Sequence, residues 1–204
     1  MINESGYKYW QKVSVIYDFV IKKNVKAYKI MLSLICERLD KSMRVLELAT
    51  GTGQIAIAVS PFAGIVEAID FSPKMIARAQ KKKRPENVTF SVRDACKLPY
   101  EDRRFDVVII SNTLHIMPQP ERALREIRRV LKDGGLLIAP TFVHKSGGLT
   151  AIKSTLMTKL TGFPASKKWS AGTYCDFLKA NGWSIRKRII LKSSFPICYT
   201  ECTK

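Results

Sequence analysis

Apolar residues recur along this chain with two different periods. Trp10, Val13, Tyr17 and Val20 keep helical spacing over 7–21, and Tyr28, Leu32, Ile35 and Leu39 repeat it over 25–40. The pattern then tightens. Arg44–Ala49, Gly64–Ile69, Val88–Val92, Phe105–Ile110 and Leu136–Val143 are short runs rich in β-branched residues, and predict strands. Helical stripes fall between them over Gln54–Ser60, from Ser72-Pro73 to about Lys83, and over Pro120–Leu131. Ser72 is placed to cap the second of these, and Pro73 suits its first turn. Strands alternating with helices predict a parallel sheet covered on both faces. Beyond it, Leu149–Leu160 and 170–181 read as helices, and Trp183–Leu191 with Ile197–Thr203 as an antiparallel edge hairpin.

The 204 residues suit one domain, with 1–41 as an N-terminal helical cover, 42–143 as the core, and 144–169 as a lid. A C-terminal helix and hairpin over 170–204 completes it. A 46% hydrophobic and 25% charged composition excludes wholesale disorder. No run reaches the roughly 18 apolar residues of a membrane span, and the first twenty residues lack a secretory signal pattern. A cytoplasmic location is therefore expected. Cys36, Cys96, Cys175, Cys198 and Cys202 are scattered, which suits reduced thiols better than a disulfide frame or a zinc site. No metal is expected.

Charge changes the picture more. Thirty-five Lys+Arg against 17 Asp+Glu leave +18, and the segment 141–204 holds 11 basic residues against 2 acidic. Such a field draws anions, whether small substrates, nucleic acid or an acidic membrane surface, and it also suits a merely soluble exterior. Lys74, Arg78, Lys81 and Lys82 form a cationic helix stripe in this reading.

Gly51-Thr52-Gly53-Gln54-Ile55-Ala56 follows the first strand, with Asp70 ending the second. That spacing satisfies G-x-G-x-x-G/A and admits a dinucleotide. Glu47 opposes this, because a diphosphate on the turn would face a fixed carboxylate. A ligand carrying an ammonium group would be welcome there instead.

Val45-Leu46-Glu47-Leu48-Ala49-Thr50-Gly51-Thr52-Gly53 resembles the E-x-G-x-G-x-G signature of class I S-adenosylmethionine-dependent methyltransferases. Ile69–Met75, Val92–Ala95, Leu98–Val108 and Leu131–Gly135 resemble that family's later blocks in the expected order. The likeness is greatest to the small-molecule branch with the ubiquinone/menaquinone-biosynthesis methyltransferases, and Ala49 departs from the first signature glycine. The resemblance implies a Rossmann-like, doubly wound seven-stranded sheet of order 3-2-1-4-5-7-6, with strand 7 antiparallel.

It also implies S-adenosyl-L-methionine as cofactor. Ala49, Thr50, Gly51 and Gly53 would form the turn beneath its amino-acid end, and Glu47 would hold its ammonium. Asp70 would take the ribose hydroxyls, Phe71 and Met75 the adenine face, and Asp94 and Ala95 the adenine edge. Ser111 and Asn112 would floor the site below the sulfonium. Independently of the resemblance, the N-terminal aromatics Tyr7, Tyr9, Trp10 and Tyr17 could close over a cationic sulfonium, and Tyr17 is the one taken to contact the cofactor. His115, just past the fourth strand, is the candidate general base. A small molecule, anionic or neutral, is the expected acceptor. RNA, a membrane lipid and a non-catalytic S-adenosylmethionine sensor stay open as alternatives.

Overall fold

The computed structural model describes residues 25–83, 85–144, 167–193 and 196–204. The expected helices over 7–21 and Leu149–Leu160, residue Tyr17 and nearly all of the 144–169 lid lie outside the described residues.

Among the described residues eight strands form one sheet: β1 (Arg44–Leu48), β2 (Ile65–Asp70), β3 (Val88–Val92), β4 (Phe105–Ile110), β5 (Leu131–Ile138), β6 (Thr141–Phe142), β7 (Ser184–Leu191) and β8 (Ile197–Thr203). Their order is β3-β2-β1-β4-β5-β8-β6, with β7 paired to β8. Strands β1 to β5 are mutually parallel, and β8 runs antiparallel to β5, β6 and β7. With the short β6 counted as a continuation of β5, this is the expected 3-2-1-4-5-7-6 arrangement. The sheet folds so because its central strands are apolar on both sides. In β4, Val108 and Ile110 join one core while Val107 and Ile109 join the other.

Helices cover both faces. Against one lie α1 (Val25–Cys36), α2 (Gln54–Val59) and α3 (Pro73–Gln80), through Met31, Ile35, Ala56, Ile76 and Ala79. Against the other lie α4 (Pro120–Val130) and α5 (Ala171–Ala180), through Leu124, Ile127, Tyr174 and Leu178. Each buried aliphatic side chain contributes roughly 1.5–3 kcal/mol. Helix boundaries follow their caps: the Ser72 side chain accepts from the Met75 amide at 3.3 Å, and Ser170 forms a capping box with Thr173.

Three boundaries differ from the sequence reading. Helix α1 stops at Cys36 and α3 at Gln80, so Lys82 lies beyond the helix rather than on its stripe. Strand β5 begins at Leu131, ahead of the glycines, because the buried Leu131 pairs with Phe105. A register shift between Phe105 and Val107 then absorbs Asp133-Gly134, where Gly134 adopts φ +75°. Pro140, which has no amide to donate, breaks the strand before it resumes as β6. Its carbonyl accepts from the Asn112 amide at 2.8 Å, fixing the loop that leaves β4. Among the described residues no helix is long and apolar enough to cross a membrane.

Candidate functional site

Parallel strands β1, β2 and β4 end side by side, and the loops leaving their carboxyl ends meet at one edge of the sheet, where open α/β sheets bind ligands. The loop after β1 is sharply bent. Ala49, Gly51 and Gly53 all have positive φ, at 53°, 57° and 77°. For alanine that conformation costs on the order of 1 kcal/mol, which makes Ala49 the strained member of the turn.

Glu47 is almost wholly buried beneath this bend. One of its oxygens accepts from Thr50 Oγ1 at 2.5 Å and from the Ala56 amide at 2.9 Å. Burial pushes its pKa up to about 8, against the pull of those two bonds, and nearby Asp70 adds to the rise. Asp70, at the tip of β2, accepts from the Gly51 amide and from the Ser72 amide, each at 2.8 Å. Its pKa is also raised by burial and held back by the same two amides.

A pocket opens here, lined by Glu47, Ala49 and Thr50 together with Tyr28 and Ser111. Thr52, Gln54 and Ile55 also line it, so among the described residues the lining carries one carboxylate and no basic side chain. Thus the structure brings together Glu47, the glycine turn, Asp70 and Ser111. Asn112 adjoins them: it adopts φ +51°, its Nδ2 donates to the Tyr28 hydroxyl at 2.9 Å, and its buried Oδ1 has no hydrogen-bond partner.

The other expected residues stand further out. Phe71 is exposed at the end of β2 and Met75 is buried in the first turn of α3. Asp94 is exposed, with its side chain accepting from the Cys96 amide at 2.8 Å in a tight turn, and Ala95 belongs to the α4–α5 core. His115 does not line the pocket. Its Nδ1 lies 3.0 Å from Thr141 Oγ1, its ring meets Phe142 edge-on, and burial lowers its pKa to about 4. The imidazole is neutral at pH 7.

Sequence reasoning missed Tyr28 as a site residue, reading it as one of the α1 core stripe. Its helical spacing is indeed that of a core residue, and its place in the site shows only in three dimensions, through the pocket lining and the hydrogen bond from Asn112, 84 residues on.

Residues 46–139 match the family model of a methyltransferase domain. Over that segment the chain is similar to methyltransferase domains, and its fold is that of solved methyltransferase structures. Among curated relatives, it is similar to the ubiquinone/menaquinone biosynthesis C-methyltransferase of Rhizobium rhizogenes, at 33% identity over 150 residues. That match covers 70% of this chain and 58% of the relative. It is also similar to the malonyl-[acyl-carrier protein] O-methyltransferase of Bacillus cereus, at 32% identity over 151 residues, covering 72% of this chain and 56% of that one. The chain therefore spans little more than half the length of these relatives. In fold it is similar to the solved structure of a SAM-dependent methyltransferase of Thermotoga maritima described as a possible histamine N-methyltransferase. The TM-score is 0.75 at 20% identity, over 97% of this chain and 100% of that one.

Proposed function

We propose that this domain transfers a methyl group from S-adenosyl-L-methionine to a small organic acceptor. The observation that carries the reading is a buried acid, four residues ahead of the glycine bend, in a pocket whose described lining holds no basic side chain. A diphosphate would leave this acid protonated and meet no cation in the described lining, whereas the cofactor's ammonium draws the acid into its charged form and pairs with it, so the residues present fit this group. When bound, the cofactor supplies a methyl group activated by its sulfonium.

The chain's own residues bind and place it. Glu47 holds the ammonium, while Ala49, Thr50, Gly51 and Gly53 shape the bend beneath the amino-acid end. Asp70, already oriented by the Gly51 and Ser72 amides, accepts from the ribose hydroxyls. Phe71 and Met75 take the adenine face, and Asp94 and Ala95 its edge. Ser111 and Asn112 floor the site, and Tyr17 is the aromatic assigned to close over the cationic sulfonium. Catalysis rests on aligning the acceptor with the methyl group, which supplies much of the rate without a strong base.

His115 is neutral, as a base must be, but its low pKa makes it a weak one. Replacement by Gln lowers turnover at least about tenfold if the imidazole moves the acceptor's proton, and less than about twofold ends that assignment.

The acceptor belongs to the small ring compounds of the quinone type, on the strength of the Rhizobium relative. The five cysteines are free, which suits the reducing cytoplasm. The test is incubation with methyl-labelled S-adenosylmethionine and separate acceptors: reduced naphthoquinones, simple phenols, short RNAs and anionic lipid vesicles. Label is expected in the ring compounds, and label in RNA or lipid instead contradicts the reading.

A further inference from the structure

The lysine just beyond α3 is not part of a solvated stripe. Lys82 Nζ donates to the Thr52 carbonyl at 2.7 Å and lies 3.0 Å from Thr52 Oγ1, across 30 residues of chain. The side chain is half-buried, whereas neighbouring Lys81 is exposed. Thr52 is the middle residue of the glycine bend and lines the pocket with Glu47. One structural unit, β2 with α3, therefore grips the bend at both ends. From the tip of β2, Asp70 takes the Gly51 amide at 2.8 Å, and from beyond α3, Lys82 takes the next residue's carbonyl.

Both are bonds between a charged group and a backbone dipole, which are stronger than neutral ones. Opposite charges on the N–H of Gly51 and the C=O of Thr52 fix the rotation of the intervening backbone. A bend containing two glycines cannot fix that rotation by itself. Lys82 also sets a positive charge against the loop that otherwise meets the carboxylates of Glu47 and Asp70.

We infer that Lys82 is a positioning residue for the carboxylate end of the cofactor, acting through Thr52. The inference rests on the cofactor reading above. It points to that end because the cofactor's carboxylate and ammonium share one carbon. A bend that delivers the ammonium to Glu47 must also accommodate the carboxylate, and Lys82 steadies the residue at that place. The nucleoside end, by contrast, belongs to Asp70, Phe71 and Met75.

Titration calorimetry with two ligands tests this: S-adenosylhomocysteine, and 5′-methylthioadenosine, which has the nucleoside but no amino-acid end. Lys82→Met is expected to weaken S-adenosylhomocysteine about tenfold or more and to leave 5′-methylthioadenosine within about twofold. Lys82→Arg should recover most of the loss, and Lys81→Met, which removes the same charge one residue away, should change neither ligand. The inference is overturned if Lys82→Met binds S-adenosylhomocysteine like the wild type. Equal loss of both ligands also overturns it, since that is what general damage to the loop produces. A wild-type protein that binds neither ligand overturns instead the cofactor reading on which it rests.

Discussion

Glu47→Gln is expected to make the ligand-free protein more stable at pH 8 while weakening its hold on S-adenosylhomocysteine about ten- to a hundredfold. The two effects have one cause. In the folded, ligand-free protein the Glu47 carboxyl has a pKa of about 8, whereas an exposed glutamate titrates near 4.5. The folded state therefore holds a proton that the unfolded chain releases, and stability falls as pH rises between those values. Across the whole window the loss is about 5 kcal/mol. Glutamine accepts from Thr50 Oγ1 and the Ala56 amide without titrating, so the variant's melting temperature should stay nearly flat where the wild type's declines.

Binding reverses the preference, because an ammonium beside Glu47 favours its charged form. The wild type should release close to one proton per ligand bound at pH 7, seen as a calorimetric enthalpy that depends on the buffer. Its affinity should rise about tenfold per pH unit between roughly pH 6 and 7.5. Glu47→Gln should show neither effect. A variant that binds as tightly as the wild type, or proton uptake instead of release, would contradict the role given to this acid.

Gly53→Ala is the second change with a large expected effect. A Cβ at this position would lie 2.6 Å from Phe90 Cζ and 3.1 Å from Ala79 Cβ, in a backbone with φ +77°. The left-handed conformation costs about 1–2 kcal/mol and the collision about 1–3 kcal/mol more. For a domain of this size that lowers the melting temperature by roughly 5–15 °C. The collision involves the far edge of the Phe90 ring, which leucine lacks. Combining Gly53→Ala with Phe90→Leu should therefore destabilise less than the two changes added together, leaving mainly the backbone cost. Strict additivity in thermal melts would show that this glycine is there for some other reason.

Much of the sheet was legible because its strands are short, apolar and punctuated. β3, β4 and β8 begin and end at the residues where the sequence pattern placed them. Where reading failed, a tertiary contact had overruled a local signal. Asp133-Gly134-Gly135 looks like a helix stop followed by a strand, yet Leu131 is already paired with Phe105 and the glycines sit within β5. Pro140 breaks a run that otherwise reads as one strand.

The site was legible for the residues that lie close together in sequence. Glu47, Thr50 and Gly51 fall within five residues, and the bend they share is visible without a structure. Tyr28 and Lys82 were not legible as site residues, because nothing beside either one in sequence refers to the glycine bend. Tyr28 keeps core spacing and Lys82 keeps surface spacing, and only the three-dimensional path of the chain brings them to it. Asp94 was proposed from the resemblance and His115 from its place just past the fourth strand; both stand away from the pocket lining, so their roles rest on ligand-bound measurements.

The most direct measurement is a calorimetric titration of the purified protein with S-adenosylhomocysteine, alongside NAD as the competing dinucleotide. A single saturable site for S-adenosylhomocysteine, lost in Gly53→Ala and weakened in Glu47→Gln, with no heat from NAD, is the predicted result. Binding of NAD with no response to S-adenosylhomocysteine would contradict the claim that a buried acid selects the ligand of this bend.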